Sequence, residues 1–238
     1  MNKRAPPILK KSLTDNLLSI CLATSTLLGT KKGMDKSNQE SINKAKEENE
    51  KLTVLLHGYL ANYYNSMHSM VRWFKKRNIP ITSFGYDYKV PINESALEIK
   101  TQIDEAIEKV GTEKINLIGV SLGGVVARYY AEKLEGTKVI DKMVTVYSPL
   151  KPVSETEWAF KRHEFLGNNP HFANQGIEET KEDYSVKNHL ALYGINDKII
   201  PHEYTQTNRV EQIGIQGGHM FICYNPVVMK TALDYISE

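Results

Sequence analysis

Cysteine is scarce in this chain. Its two, Cys21 and Cys223, have no second cysteine at ligand spacing, which excludes a disulfide framework and the paired-thiol zinc sites and leaves packing as their role. An excess of one charge is missing as well. Lys and Arg number 30 against 28 Asp and Glu, a formal net charge of +2 with histidine neutral. No Lys/Arg stripe interleaved with aromatics offsets that balance, so the chain offers nucleic acid no electrostatic footprint. Repeats and low-complexity tracts are absent too. What remains is an ordinary globular composition, 41% hydrophobic over 238 residues, enough to bury the core of one large α/β domain or of a domain with a small cap.

The first 50 residues follow a different pattern. Lys3, Arg4, Lys10 and Lys11 precede the apolar stretch NLLSICLATSTLLG, an arrangement like the basic and apolar parts of an export signal, and Ala23 and Ser25 supply a small-x-small cleavage pattern. Asp15 interrupts the approach, and the stretch is too short to span a bilayer as a helix. Two readings of residues 1–29 therefore stand: a signal, which makes the protein exported or membrane-associated, or an amphipathic helix packed on the domain of a cytoplasmic protein. KKGMDKSNQESINKAKEENEK comes next, balanced in charge and poor in apolar residues, and reads as a solvated linker or an exposed helix. The folded domain is expected over residues 51–238.

From KLTVLLHG onward, apolar runs alternate with segments of helical period, the pattern of a parallel sheet with crossover helices. LTVLLH, IPITSFGYDY, KINLIGV, KVIDKMVTVYS, NHLALYG and RVEQIGI read as strands. Helices are expected over NSMHSMVRWFKKRN, NESALEIKTQIDEAIEKVG, LGGVVARYYAEKL and NPVVMKTALDYIS. In the second of these, Ile99, Ile103, Ala106, Ile107 and Val110 share a face, Ser95 and Glu98 have capping-box spacing, and Gly111 stands where the helix should stop. Pro226 suits the first turn of the last helix.

One stretch raises a chemical question. Gly119-Val120-Ser121-Leu122-Gly123, with Gly124 added, matches G-x-S-x-G between an expected strand and an expected helix, the context in which a serine hydroxyl is presented on a sharp turn. The N–H groups at the start of the following helix face developing negative charge. A serine attacks poorly until a base takes its proton. Of the 7 histidines, His219 follows the last strand through the QGGH turn, where an open parallel sheet builds its site. His202 lies after a different strand; His163 and His171 fall in an irregular middle segment, and His68 and His189 lie within or before expected elements. The base needs a carboxylate to set its tautomer. Asp197, after NHLALYG, is at the right end of the sheet; Asp141 precedes its strand, and Asp183 and Glu203 are weaker substitutes. LLHGYLAN ends the first strand, and Gly58 allows a sharp turn there. The backbone N–H groups of Tyr59 and Leu122 are then the expected donors to an oxyanion, with His57 bracing the loop.

Together VLLHGYLAN, NLIGVSLGGVVARYYAEKL, YGINDKIIP and GGHM resemble the α/β-hydrolase fold, above all its lipase and esterase group, including triacylglycerol lipase-like serine hydrolases. The resemblance covers Lys51 to the C-terminus. It implies a mostly parallel central sheet with helices on both faces, a catalytic domain over 51–238, and Ser121, Asp197 and His219 as nucleophile, acid and base, with Tyr59 and Leu122 forming the oxyanion hole. It implies cleavage of small-molecule esters or lipids through an acyl-enzyme, with no metal or organic cofactor and with a lipid surface as a further partner. A thioesterase, an amidase, an acyltransferase or a non-catalytic binding protein is the alternative on the same fold. Two departures concern the pocket rim: Val120 stands where many of these lipases have histidine, and YSPLKP replaces a Thr-Pro-His-type segment. Residues 151–187 are long for a connection and are expected to contribute a small lid. Within them SETEWAFKRHEFL puts Trp158, Phe165 and Leu166 on one helical face, either to cover an acyl chain or to pack on the sheet.

Overall fold

Every residue of Leu52–Leu56, Ile115–Val120 and His189–Gly194 is buried, a pattern that only a strand covered on both faces satisfies. In the computed structural model, which describes residues 8–9, 29–153 and 169–238, these runs are the middle of a seven-stranded sheet. In chain order the strands are β1 (Ile8–Leu9), β2 (Leu52–Leu56), β3 (Ile81–Phe84), β4 (Ile115–Val120), β5 (Ile140–Val146), β6 (His189–Gly194) and β7 (Glu211–Ile215). Their spatial order is β1-β7-β6-β5-β4-β2-β3, and every neighbouring pair is parallel. The helices are α1 (Lys31–Glu48), α2 (His68–Lys75), α3 (Ile92–Val110), α4 (Leu122–Lys133), α5 (Asn169–Thr180), the single turn α6 (His202–Thr205) and α7 (Pro226–Ser237).

The strands' alternation separates two cores. Val54 and Leu56 join Leu117, α3 and α4 on one face, with Ala173 and Ile177 of α5. Leu55, Ile118, Val144 and Leu192 meet α2 and α7 on the other. This is the α/β-hydrolase architecture expected from the sequence, helices on both faces included. The ends of two helices follow local chemistry. Gly111 takes φ 77 just after α3, and the Asn225 side chain accepts from the Val227 N–H ahead of α7, with Pro226 at its first position.

The structure corrects the reading of residues 31–51. They form neither a linker nor an exposed helix: α1 buries Met34, Asn38, Ser41, Ile42 and Ala45, covering the β3 edge and reaching into both cores. The signal was weak because only three of those five side chains are apolar. Asn38 shows why a polar residue sits there. Its Nδ2 donates to Ser83 O at 2.8 Å and its Oδ1 accepts from Ser83 N at 3.0 Å, so the amide closes the open edge of β3 as a neighbouring strand would. Asn38→Leu is expected to cost about 2–3 kcal/mol, because it strands two buried backbone groups; a lowered urea midpoint at unchanged slope is the readout.

Ser95 and Glu98 do not cap α3, which begins at Ile92, about a turn earlier. They anchor the loop before it instead: Ser95 Oγ donates to Asp87 O at 2.8 Å and Glu98 Oε2 accepts from Asp87 N at 3.0 Å. Of residues 1–29, Ile8 and Leu9 pair with Gly214 and Ile215, adding a strand that the sequence did not announce. The cleavage pattern at Ala23 and Ser25 and the helix over residues 154–166 lie outside the described residues. Within 151–187, α5 packs as a core helix, with Gly176 against Ile92.

A buried histidine makes this fold acid-sensitive. His189 is enclosed beside Arg128 and bonded to Thr145 Oγ1 at 3.0 Å; burial, then the Arg128 charge, lowers its pKa from 6.5 to about 3. The unfolded chain takes up this proton below about pH 6.5 and the folded chain does not. Stability is therefore complete above that value and falls as the pH drops toward 3, by about 2 kcal/mol at pH 5. Urea midpoints at pH 7 and pH 5 check this, and His189→Gln should flatten the difference.

Candidate active site

β4 ends at Val120, α4 begins at Leu122, and Ser121 is the single residue between them, at φ 54 and ψ −122. A non-glycine residue in this region is strained by roughly 1–3 kcal/mol. The neighbouring glycines make the turn feasible. A Cβ on Gly119 would lie 2.5 Å from Gly123 O, and one on Gly123 would lie 2.5 Å from His57 O, so helix, strand and the loop after β2 meet backbone to backbone. Ser121 N donates to Val146 O at 2.8 Å, tying the turn to β5.

Two loops at the same end of the sheet bring the other groups. After β6, Asp197 folds over a turn in which its Oδ1 accepts from the N–H groups of Ile199 at 2.8 Å and Ile200 at 3.1 Å. Its Oδ2 faces His219 Nδ1 at 2.7 Å, and the His219 Nε2 lies 2.8 Å from Ser121 Oγ. An ionised carboxylate only accepts, so Nδ1 carries the proton, which leaves Nε2 to accept from the hydroxyl. The Asp197 side chain has 0% exposure and that of His219 11%. Tyr147, at the end of β5, wedges the arrangement. Its ring lies against Gly194, its hydroxyl donates to Ile215 O at 3.4 Å, and its centroid is 6.3 Å from that of His219. Nothing in the sequence pattern singled it out.

The loop after β2 closes the other side. A Cβ on Gly58 would stand 3.1 Å from Ser121 Cβ, which brings the Gly58–Tyr59 backbone against the serine, and Leu122 opens α4 with an N–H from its first turn. His57 is away from the proton chain. Its Nδ1 donates to Gly58 O at 2.9 Å, its ring stacks on Tyr86 at 4.3 Å, and burial holds its pKa low, as suits a brace. The carboxylates passed over are elsewhere: Asp141 pairs with Lys51 at the start of β5, Asp183 pairs with Lys133, and Glu203 lies beside His202. His68 begins α2, His171 lies in α5, and His163 lies outside the described residues.

Above Ser121 is a cavity of about 260 Å³. Leu60, Met67, Val120, Ile222 and Cys223 give it apolar walls. Leu60, held at φ 54, is a large apolar residue that lines the cavity and is also exposed to solvent. Of these wall residues, Val120 and Cys223 stand out in the sequence, whereas Leu60, Met67 and Ile222 carry no signal there that marks them as cavity walls. Among the described residues no three His, Cys, Asp or Glu side chains gather as metal ligands, and no helix is long and apolar enough to cross a membrane.

Several solved structures share this fold. The mature lipase BlEst2 of Bacillus licheniformis aligns with a TM-score of 0.65 at 13% identity, covering 76% of this chain and 91% of that one. The Francisella virulence factor BioJ aligns at 0.60 and 15% identity over 94% of this chain and 99% of that one. A thioesterase domain from the curacin biosynthetic pathway aligns at 0.52 and 13% identity, over 78% and 91%. At such identities the likeness is one of fold. No curated protein sequence matches the chain. A family model does: that of palmitoyl protein thioesterase, over residues 53–216, a stretch that holds Ser121 and Asp197 and stops just short of His219. The chain belongs to the palmitoyl protein thioesterase family of α/β-hydrolases.

Proposed function

We propose that the protein is a serine hydrolase that cleaves carboxylic esters through an acyl-enzyme, with Ser121 as nucleophile, His219 as base and Asp197 as the acid that orients it. The observation that carries this reading is the unbroken hydrogen-bond chain from the buried Asp197 carboxylate through the His219 ring to the Ser121 hydroxyl. Ser121 Oγ attacks the carbonyl carbon as its proton passes to His219 Nε2. The oxyanion is met by the N–H groups of Tyr59 and Leu122. Collapse breaks the bond to the leaving alcohol, which takes the proton from His219, and water then repeats the sequence on the acyl-enzyme and restores the serine. The apolar cavity suits the acyl group, and a small-molecule ester or lipid is the substrate. Thioesters are a second reading, favoured by the family match, and they need no change in these roles.

A serine-reactive fluorophosphonate tests the assignment. It should label the folded wild-type protein and not Ser121→Ala. Folded wild-type protein that stays unlabelled would exclude the nucleophile. A panel of oxygen esters and thioesters of rising chain length then ranks the two substrate classes.

A further inference from the structure

The cavity above Ser121 has an enclosed end and an open one. Among the side chains that line it, Met67 is 1% exposed and Val120 and Ile222 are each 3%, whereas Leu60 is 52% exposed. The three enclosed residues belong to the core on that face of the sheet, which also holds Met70, Val71 and Phe74 of α2. A floor made of packed core side chains does not retreat without opening a void behind it, so the protein sets the depth of the cavity and the ligand does not.

The walls carry no fixed charge. Among the described residues the lining includes no Lys, Arg, Asp or Glu. Ser66 Oγ accepts from the Asn62 N–H at 3.1 Å and donates to Asn62 O, and burial pushes the Cys223 thiol up to about 12, which keeps it neutral. An acyl chain bearing a carboxylate, an amine or hydroxyls would leave its hydrogen bonds to water and find no replacement here, whereas methylenes gain by the transfer. Volume then sets the length. A methylene takes about the space of a water molecule in the liquid, about 30 Å³, so a cavity of about 260 Å³ holds about eight carbons with the carbonyl included. A palmitoyl chain is about twice as long, and its outer half would lie in solvent past Leu60.

Resting on the hydrolase reading, we propose that the acyl group this site selects is an unsubstituted chain of about six to eight carbons, with Met67 and Ile222 setting the limit, and not the palmitoyl chain of the family's name. The chemistry is that already given: Ser121 takes the acyl group, and the leaving group departs with the proton from His219.

The test uses p-nitrophenyl esters from acetyl to dodecanoyl, which share one leaving group. In the wild type kcat/KM should rise about threefold to fourfold per methylene up to about the octanoyl ester and then level off or fall. A series still climbing at dodecanoyl, or already falling from acetyl, overturns the proposal. Met67→Ala removes the floor side chain beyond Cβ and should carry the break up by about two carbons. If this variant does not fold, Cys223→Phe adds bulk to the wall and should bring the break down by about as much. A break that stays at octanoyl in a folded variant overturns the proposal. Lengthening the alcohol of alkyl acetates should change kcat/KM less than about threefold; a break in that series instead would put the leaving group in the cavity and overturn the proposal too. Binding is measured separately, by calorimetry of methyl esters with Ser121→Ala. Affinity should rise as far as methyl octanoate and be level at methyl decanoate, and the absence of that break overturns the proposal whatever the turnover. Lack of turnover on every ester by the wild type, with the binding break intact, removes the hydrolase reading alone.

Discussion

Ser121→Ala should fold as the wild type does and lose ester turnover by a factor of about 10⁴–10⁶. The two halves of this expectation have separate causes. Ala differs from Ser only by the hydroxyl, so the φ 54 turn between β4 and α4 is no more strained than before, and the Ser121 N–H bond to Val146 O is kept. The oxygen that would attack the carbonyl is gone, and residual rate comes from the oxyanion donors and binding alone. Burst-free steady-state kinetics with a short-chain ester, beside urea midpoints of both proteins, separate the effects. A variant that keeps a tenth of the activity would remove Ser121 from the mechanism.

Asp197→Asn is expected to be nearly as severe for turnover, about 10⁴-fold, and almost silent for stability. The turn explains both. Oδ1 is held by the N–H groups of Ile199 and Ile200, and an asparagine oxygen can replace it there. The amide nitrogen must then take the place of Oδ2 and point a donor at His219 Nδ1. The imidazole answers with its other tautomer, in which Nε2 carries the proton and cannot accept one from Ser121. Asp197→Ala differs in losing the turn acceptor as well, and should lower stability by about 1–3 kcal/mol in addition. Kinetics and urea melts on the two variants distinguish a carboxylate that sets the tautomer from one that only shapes a loop. Equal activity in Asp197→Asn and wild type would leave the turn as its only role.

The fold was legible because its strands are buried on both faces, so apolar runs such as NLIGV read clearly between helical segments. The glycines around Ser121 were legible for a related reason: close backbone approach tolerates no side chain, and such positions stand out in any sequence. The position of Asp197 and His219 after the last two long strands followed from the rule that parallel sheets gather their loops at one end. Helix α1 was not legible. It contacts the sheet partly through Asn38 and Ser41, and polar side chains that serve as edge partners look like solvated ones until the edge is seen.

By itself, then, the sequence determined what depends on local pattern: the alternating elements, the tight turn at Ser121 and the residue types available for proton transfer. Only the tertiary structure decided what depends on distance. The order of the strands, the 2.7 Å and 2.8 Å contacts of His219 and the wedge of Tyr147 all join residues far apart in the chain. Local pattern is set by backbone geometry and burial over a few residues, whereas these contacts arise from how the loops after different strands pack against one another, which no short-range periodicity records.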